Sequence, residues 1–267
     1  MRIPEKVSEA ELTGLLVRFA ADRIAEAARS DVAIAGGGPA GLTLAWLLAE
    51  KGLRVTLVEH YLGLGGGMRG GSSLLPALLV EDGSPRRLLE RAGARLQPSP
   101  VEGLFLADPV ETAVRLAYKA VEAGARILVG WHVEDVIVRR LPGGGHRVAG
   151  LVVVVSPAVE AGWHVDPIYI EARATVDATG HDGHLLRILE RRIPGSLRAP
   201  GMSAMNVWEG ERQVVERTGQ AYPGLYVAGM SVAEAYNTYR MGPVFGGMLA
   251  SAEKLAGIIL RDLGVEG

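Results

Sequence analysis

Apolar residues along this chain follow two rhythms, one recurring every three or four positions and one of short unbroken runs closed by glycine. The first rhythm opens at Ser8-Glu9-Ala10-Glu11, where a serine is followed three positions later by a glutamate in the pattern of a capping box. It continues through Leu12, Leu15, Leu16, Phe19 and Ile24, so residues 9 to 28 read as an amphipathic helix that lays its stripe on the core. The second rhythm follows at once. Asp31-Val32-Ala33-Ile34-Ala35 meets Gly36-Gly37-Gly38-Pro39-Ala40-Gly41, then a helical pattern from Leu42 to Lys51, then a β-rich run from Leu53 to Glu59. Strand, tight turn, helix and strand make a βαβ unit.

Further along, the segment from Gly63 to Gly71 is too glycine-dense for a regular element. Asp108 and Glu111 with apolar Val110, Val114 and Ala117 predict a helix over 107–124, followed by strands at 126–129 and 133–139. Pro142-Gly143-Gly144-Gly145 turns the chain, and further strands are predicted at 151–155, 174–177 and 225–228. A last helix runs from about Pro243 to Leu263, with the proline in its first turn. The pattern predicts an α/β, Rossmann-like dinucleotide-binding fold with a central parallel sheet and a smaller β-containing subdomain. At 267 residues and 48% hydrophobic, the chain suits one generous core, and 1–267 is read as a single NAD-binding domain.

Charge narrows the partners. A net charge of −2 with no basic run argues against nucleic acid and anionic membrane, and leaves a small ligand. No apolar stretch reaches the roughly 18 residues needed to cross a bilayer, so a cytoplasmic setting is the default expectation. The chain has no cysteine. Any metal would be held by nitrogen and oxygen, which favours first-row ions such as Fe(II) over structural zinc.

Gly36, Gly38 and Gly41 match G-x-G-x-x-G where a strand gives way to a helix. The first glycine permits the turn, the second lets backbone approach a pyrophosphate, and the third lets helix and strand pack closely. Glu59 closes the second strand about 20 residues further on, where a carboxylate accepts from ribose hydroxyls and repels a 2′-phosphate. NAD or FAD fits that pattern and NADP does not. The strand ends Val176-Asp177-Ala178-Thr179-Gly180 and Gly224-Leu225-Tyr226-Val227-Ala228-Gly229 look like those of flavoproteins. An acid normally follows the last glycine there, and Met230 stands in its place, so NAD is favoured.

Three further sets of residues carry chemistry. His164 and Asp166 are two apart, so an extended segment projects both to one side. His181 follows the strand end at 177–180, where open α/β sheets place ligands. These three could grip a metal ion or a substrate group; equally, His164 could be a strand histidine, Asp166 a turn former before Pro167, and His181 a helix cap. His60, His132, His146 and His184 lack comparable company and read as structural or solvent-facing. Arg240, before Met241-Gly242-Pro243, could clamp a carboxylate through two parallel hydrogen bonds, or could be salt-bridged at a helix start.

Taken together, these residues resemble the thiamine thiazole synthase family, particularly its archaeal branch. The resemblance covers about residues 8 to 260. It rests on the capped first helix, Asp31-Val32-Ala33-Ile34 into Gly36–Gly41, Gly65-Gly66-Gly67, Ala107-Asp108-Pro109-Val110-Glu111, Val133-Glu134-Asp135-Val136, His164-Val165-Asp166-Pro167, Asp177-Ala178-Thr179-Gly180-His181-Asp182 and Arg240-Met241-Gly242-Pro243. It implies an enzyme that consumes NAD, glycine and a sulfur source to make the adenylated carboxythiazole precursor of thiamine. In the fungal and plant branch a cysteine donates its sulfur; here His164 holds that place, which implies the sulfide-using, Fe(II)-dependent branch. The resemblance further implies that Asp166 and His181 ligate iron from neighbouring protomers of a homo-octamer and that Arg240 holds the glycine carboxylate. It lines the nucleotide with Gly36, Gly38, Ala40, Gly41, Glu59, His60, Gly67, Val133, His164, Val165, Asp166 and Met230. Two departures stand out: Ala40 where relatives often carry serine, and Asn237-Thr238-Tyr239 before Arg240. The competing readings are a flavin-dependent oxidoreductase, a ribose-1,5-bisphosphate isomerase and a non-catalytic NAD sensor.

Overall fold

Val32–Ala35 (β1) is buried at every residue, as the middle strand of a parallel sheet must be when helices cover both faces. A computed structural model describes residues 7–265 and places this strand between Val55–Glu59 (β2) and Ala174–Asp177 (β10), both parallel to it. The sheet extends past β2 to Arg126–Val129 (β6), and past β10 to Leu225–Val227 (β12) and the antiparallel edge Gly219–Tyr222 (β11). The other strands form two antiparallel sheets of three. One joins Leu78–Glu81 (β3), Leu96–Pro98 (β4) and Leu104–Ala107 (β5); the other joins Trp131–Arg140 (β7), His146–Val155 (β8) and Ile168–Glu171 (β9). The Rossmann-like fold with its smaller β-rich part is the one that the hydrophobic pattern predicts.

Pro39–Glu50 (α2) follows β1 and packs against Pro109–Glu122 (α4) and Gly246–Leu263 (α9). Its Leu42, Leu44 and Leu48 are fully buried, each worth about 1.5–3 kcal/mol relative to exposure. Asp108 caps α4 by accepting from the Glu111 amide at 2.7 Å, so the acidic start acts as a helix start. The remaining helices are Glu9–Ala27 (α1), Ser84–Ala92 (α3), Ser156–Glu160 (α5), His184–Arg192 (α6), Val207–Arg217 (α7) and Met230–Tyr236 (α8). Among the described residues, no helix is long and apolar enough to cross a membrane.

Two expectations change. α1 forms with its capping box, Ser8 N–H donating to Glu11 at 2.8 Å, yet its stripe does not lie on the core. Leu15, Leu16 and Phe19 are 55%, 72% and 64% exposed, because the helix precedes the sheet and only its last turn, at Ala27, meets it. α9 begins at Gly246 and not at Pro243. Val244 is drawn into a bridge with Leu79 of β3, and Phe245 N–H donates to the Leu79 carbonyl at 3.0 Å, which keeps this stretch out of the helix.

Candidate active site

The C-terminal ends of β1, β2 and β10 open into a cleft of about 740 Å³, where a sheet of this kind places its ligand. Gly36 turns the chain at φ +104°, and a Cβ there would collide with the Ala178 carbonyl; one at Gly41 would collide with the Gly36 carbonyl. Gly38 differs. A Cβ at that residue would meet nothing within 4 Å, so its backbone faces open cleft at the start of α2, and no side chain caps that helix. Free amides at a helix N-terminus over open space suit a pyrophosphate. Glu59 is buried at the tip of β2, and its two oxygens accept from the Gly37 amide at 2.7 Å and the Tyr61 amide at 2.8 Å. Each oxygen keeps a lone pair for a ribose hydroxyl.

Asp177 organises the opposite wall. Its carboxylate is fully buried and accepts five hydrogen bonds: from the Thr179 amide (3.0 Å) and hydroxyl (2.7 Å), the Ser231 hydroxyl (2.8 Å), and the Leu185 (2.8 Å) and Leu186 (3.1 Å) amides. It thus caps α6 from the strand before it and ties in α8. This carboxylate anchors the turn that carries His181, with Ser231 also accepting from the Gly180 amide at 3.1 Å, and His181 lies exposed on the cleft's rim.

The reading of His60, His132 and His184 as lone histidines is overturned. All three line the cleft, with ring centroids 5.2 Å apart from His60 to His132 and 5.0 Å from His132 to His184. His184 Nε2 donates to the Val133 carbonyl at 2.6 Å, and His60 Nδ1 meets the Ser156 hydroxyl at 3.0 Å and His132 Nδ1 at 3.3 Å. Burial and then the charges of His184 and His60 push His132 down to about 4, so it is neutral at neutral pH. Separate elements deliver the three rings, and of the three only His60 is placed at the nucleotide by the resemblance. His146 stays apart at the start of β8.

Gly36, Gly38, Ala40, Glu59, His60, Gly67, Val133, His181 and Met230 therefore line one cleft, while Gly41 packs beneath it. His164, Val165 and Asp166 do not join them. They lie exposed on the loop between α5 and β9, outside the cleft's lining. Arg240 is also exposed and outside it, its amide donating to the Ala204 carbonyl at 3.0 Å, although Gly242 reaches the cleft floor. Among the described residues, no three His, Asp or Glu side chains come together to hold a metal.

The chain is similar to known proteins over nearly its whole length. The Thi4 family matches residues 13–245. A thiamine thiazole synthase of Pyrobaculum arsenaticum is 44% identical over 88% of this chain and 89% of its own, and one of Archaeoglobus fulgidus is 42% identical over 97% of each. The crystal structure of Thermovibrio ammonificans THI4 superposes with a TM-score of 0.93 at 36% identity, covering 97% of this chain and 99% of that one.

Proposed function

Since the chain belongs to the Thi4 family and is an enzyme of thiamine thiazole synthesis, we propose that it makes the adenylated carboxythiazole from NAD, glycine and sulfide with Fe(II), and does so catalytically. The open position at Gly38, over uncapped amides and beside buried Glu59, carries this reading. The pyrophosphate sits on those amides, and Glu59 takes the adenosine ribose and disfavours NADP by its charge. The reacting ribose then extends toward His181 and the floor at Met230 and Gly242. Arg240, which a single chain leaves outside the cleft, is assigned the glycine carboxylate for its planar fork, at the same junction between copies as Asp166.

Sulfur comes from outside. The sequence has no cysteine, so no thiol of the chain can be given up, and His164 stands where the resemblance puts the donor cysteine. Imidazole and carboxylate are fitting donors for Fe(II), which would supply Lewis acidity and a holding point for sulfide. One chain brings His181 to the cleft and leaves Asp166 outside it. On this reading the iron set closes between copies, Asp166 of one with His181 of another in a homo-oligomer, the octamer that the resemblance implies.

Anaerobic incubation with NAD, glycine, Fe(II) and sulfide, read by mass spectrometry, tests the proposal. Many adenylated thiazoles per chain and an unchanged protein mass are expected. One product per chain, or a chain lighter by the elements of hydrogen sulfide, would overturn it.

A further inference from the structure

Glu81 ends β3 and Glu211 lies within α7, and the fold brings their carboxyl groups together beneath the first turn of α9. Glu211 is 7% exposed and accepts a short hydrogen bond from the Gly247 amide, while Glu81 faces the Gly246 amide. α9 begins with two glycines at this point because a Cβ on Gly246 would collide with Glu81, and one on Gly247 with Glu211. Phe245, at the helix's N-cap position, has no side-chain acceptor to offer.

No cation among the described residues pairs with either acid. The charged groups of the surrounding helices are engaged elsewhere: Arg86 with Asp82 and Glu90, Arg87 with Glu253, Arg212 with Glu209 and Glu216, and Lys254 with the carbonyls of Val215 and Glu216. Glu81 Oε2 and Glu211 Oε1 are buried and otherwise unpartnered. Two desolvated carboxylates at such range cannot both be ionised, and one proton between them satisfies both orphaned oxygens. The single charge that remains lies against a helix N-terminus, where it is favoured.

We propose that Glu81 and Glu211 share one proton and act as a positioning pair, a remote cap that seats the first turn of α9 and with it the cleft floor of Phe245 and Met248. Neither acid touches the ligand; both act through α9. Burial and the neighbouring Glu81 charge push Glu211 up to about 9, and burial also raises Glu81. Because Glu211 is raised from 4.5, its contribution to stability is full below 4.5 and is lost as pH rises toward about 9. The latch acts on the cleft whatever ligand it holds, so its test needs no turnover.

Glu211→Gln keeps a donor toward Glu81 and an acceptor for Gly247 while removing the titration. The intact chain should lose up to about tenfold in its folding equilibrium per pH unit across that window, and Glu211→Gln should flatten the slope. The infrared band of a protonated carboxyl should be present at neutral pH in the intact chain and absent from the variant. Glu211→Ala should speed hydrogen exchange at the Gly246–Met248 amides and weaken binding of ADP as a probe. An unchanged pH slope in Glu211→Gln, or no protonated-carboxyl band at neutral pH, would overturn the latch even if Glu211→Ala fails to fold. Failure of the intact chain to bind ADP would instead strike the nucleotide reading, leaving the slope and the infrared band to decide the latch.

Discussion

At the glycine cradle the supporting groups find their partners inside the chain: Glu59 on two amides, Gly41 under Gly36, Gly65 N–H on the Gly37 carbonyl at 2.8 Å. Along residues 161–166 each residue is exposed, on a loop that links the short α5 to β9. The contrast separates two jobs. Binding a nucleotide needs a preorganised surface, which one fold can finish alone. A reacting centre whose residues stand on an outer loop is finished only when something else meets that loop, and that is the part the proposal assigns to a second copy.

The largest effect should come from breaking the unfinished half. Asp166→Ala or His181→Ala is expected to abolish thiazole formation while leaving calorimetric affinity for NAD within about twofold, since neither residue supports the cradle. Mixed and subunit-exchanged samples of the two inactive variants should regain activity; no recovery would place the centre within one chain. Asp177→Ala, which severs five hydrogen bonds and leaves three amides bare, should cost about 3 kcal/mol or more in urea unfolding. Stability unchanged by that substitution would mean that the His181 turn is held by other contacts.

Glu59→Ala sharpens the finished half. It should weaken NAD binding by roughly 1–3 kcal/mol and relax the preference over NADP, with equal affinities before and after arguing that ribose is not read there. The smallest effect concerns His132. Because its ionisation is lowered from 6.5 to about 4, its contribution to stability is present above 6.5 and fades as pH falls toward 4. NMR titration should find His132 neutral until the acid end of that range, and an ordinary midpoint near 6.5 would mean that water reaches the cluster.

The βαβ start was legible because each of its parts is local: strand, turn, helix and acid lie within thirty-odd residues and their chemistry depends on spacing. α6 is less legible: Leu185, Leu186, Ile188 and Leu189 carry a helical pattern, yet one short stripe between charged residues is a weak signal. Its cap, Asp177, belongs to a strand and gives no adjacent sign. The stripe of α1 is legible and its burial is not, because periodicity shows that a face is apolar and not what covers it. His60, His132 and His184, like Glu81 and Glu211, meet only through tertiary packing, which no spacing rule reports.

Gly38 has a consequence for how tolerance to change is distributed. Its φ of −78° suits any residue, and the room beside it belongs to the cleft and not to the protein. Selection for a folded chain alone should accept alanine or serine there as readily as glycine, while rejecting both at Gly36 and Gly41. Selection for a working enzyme should reject alanine and serine at Gly38 as well. The difference between those two libraries at residue 38 would measure how closely the ligand presses on the backbone, a quantity that neither library reports by itself.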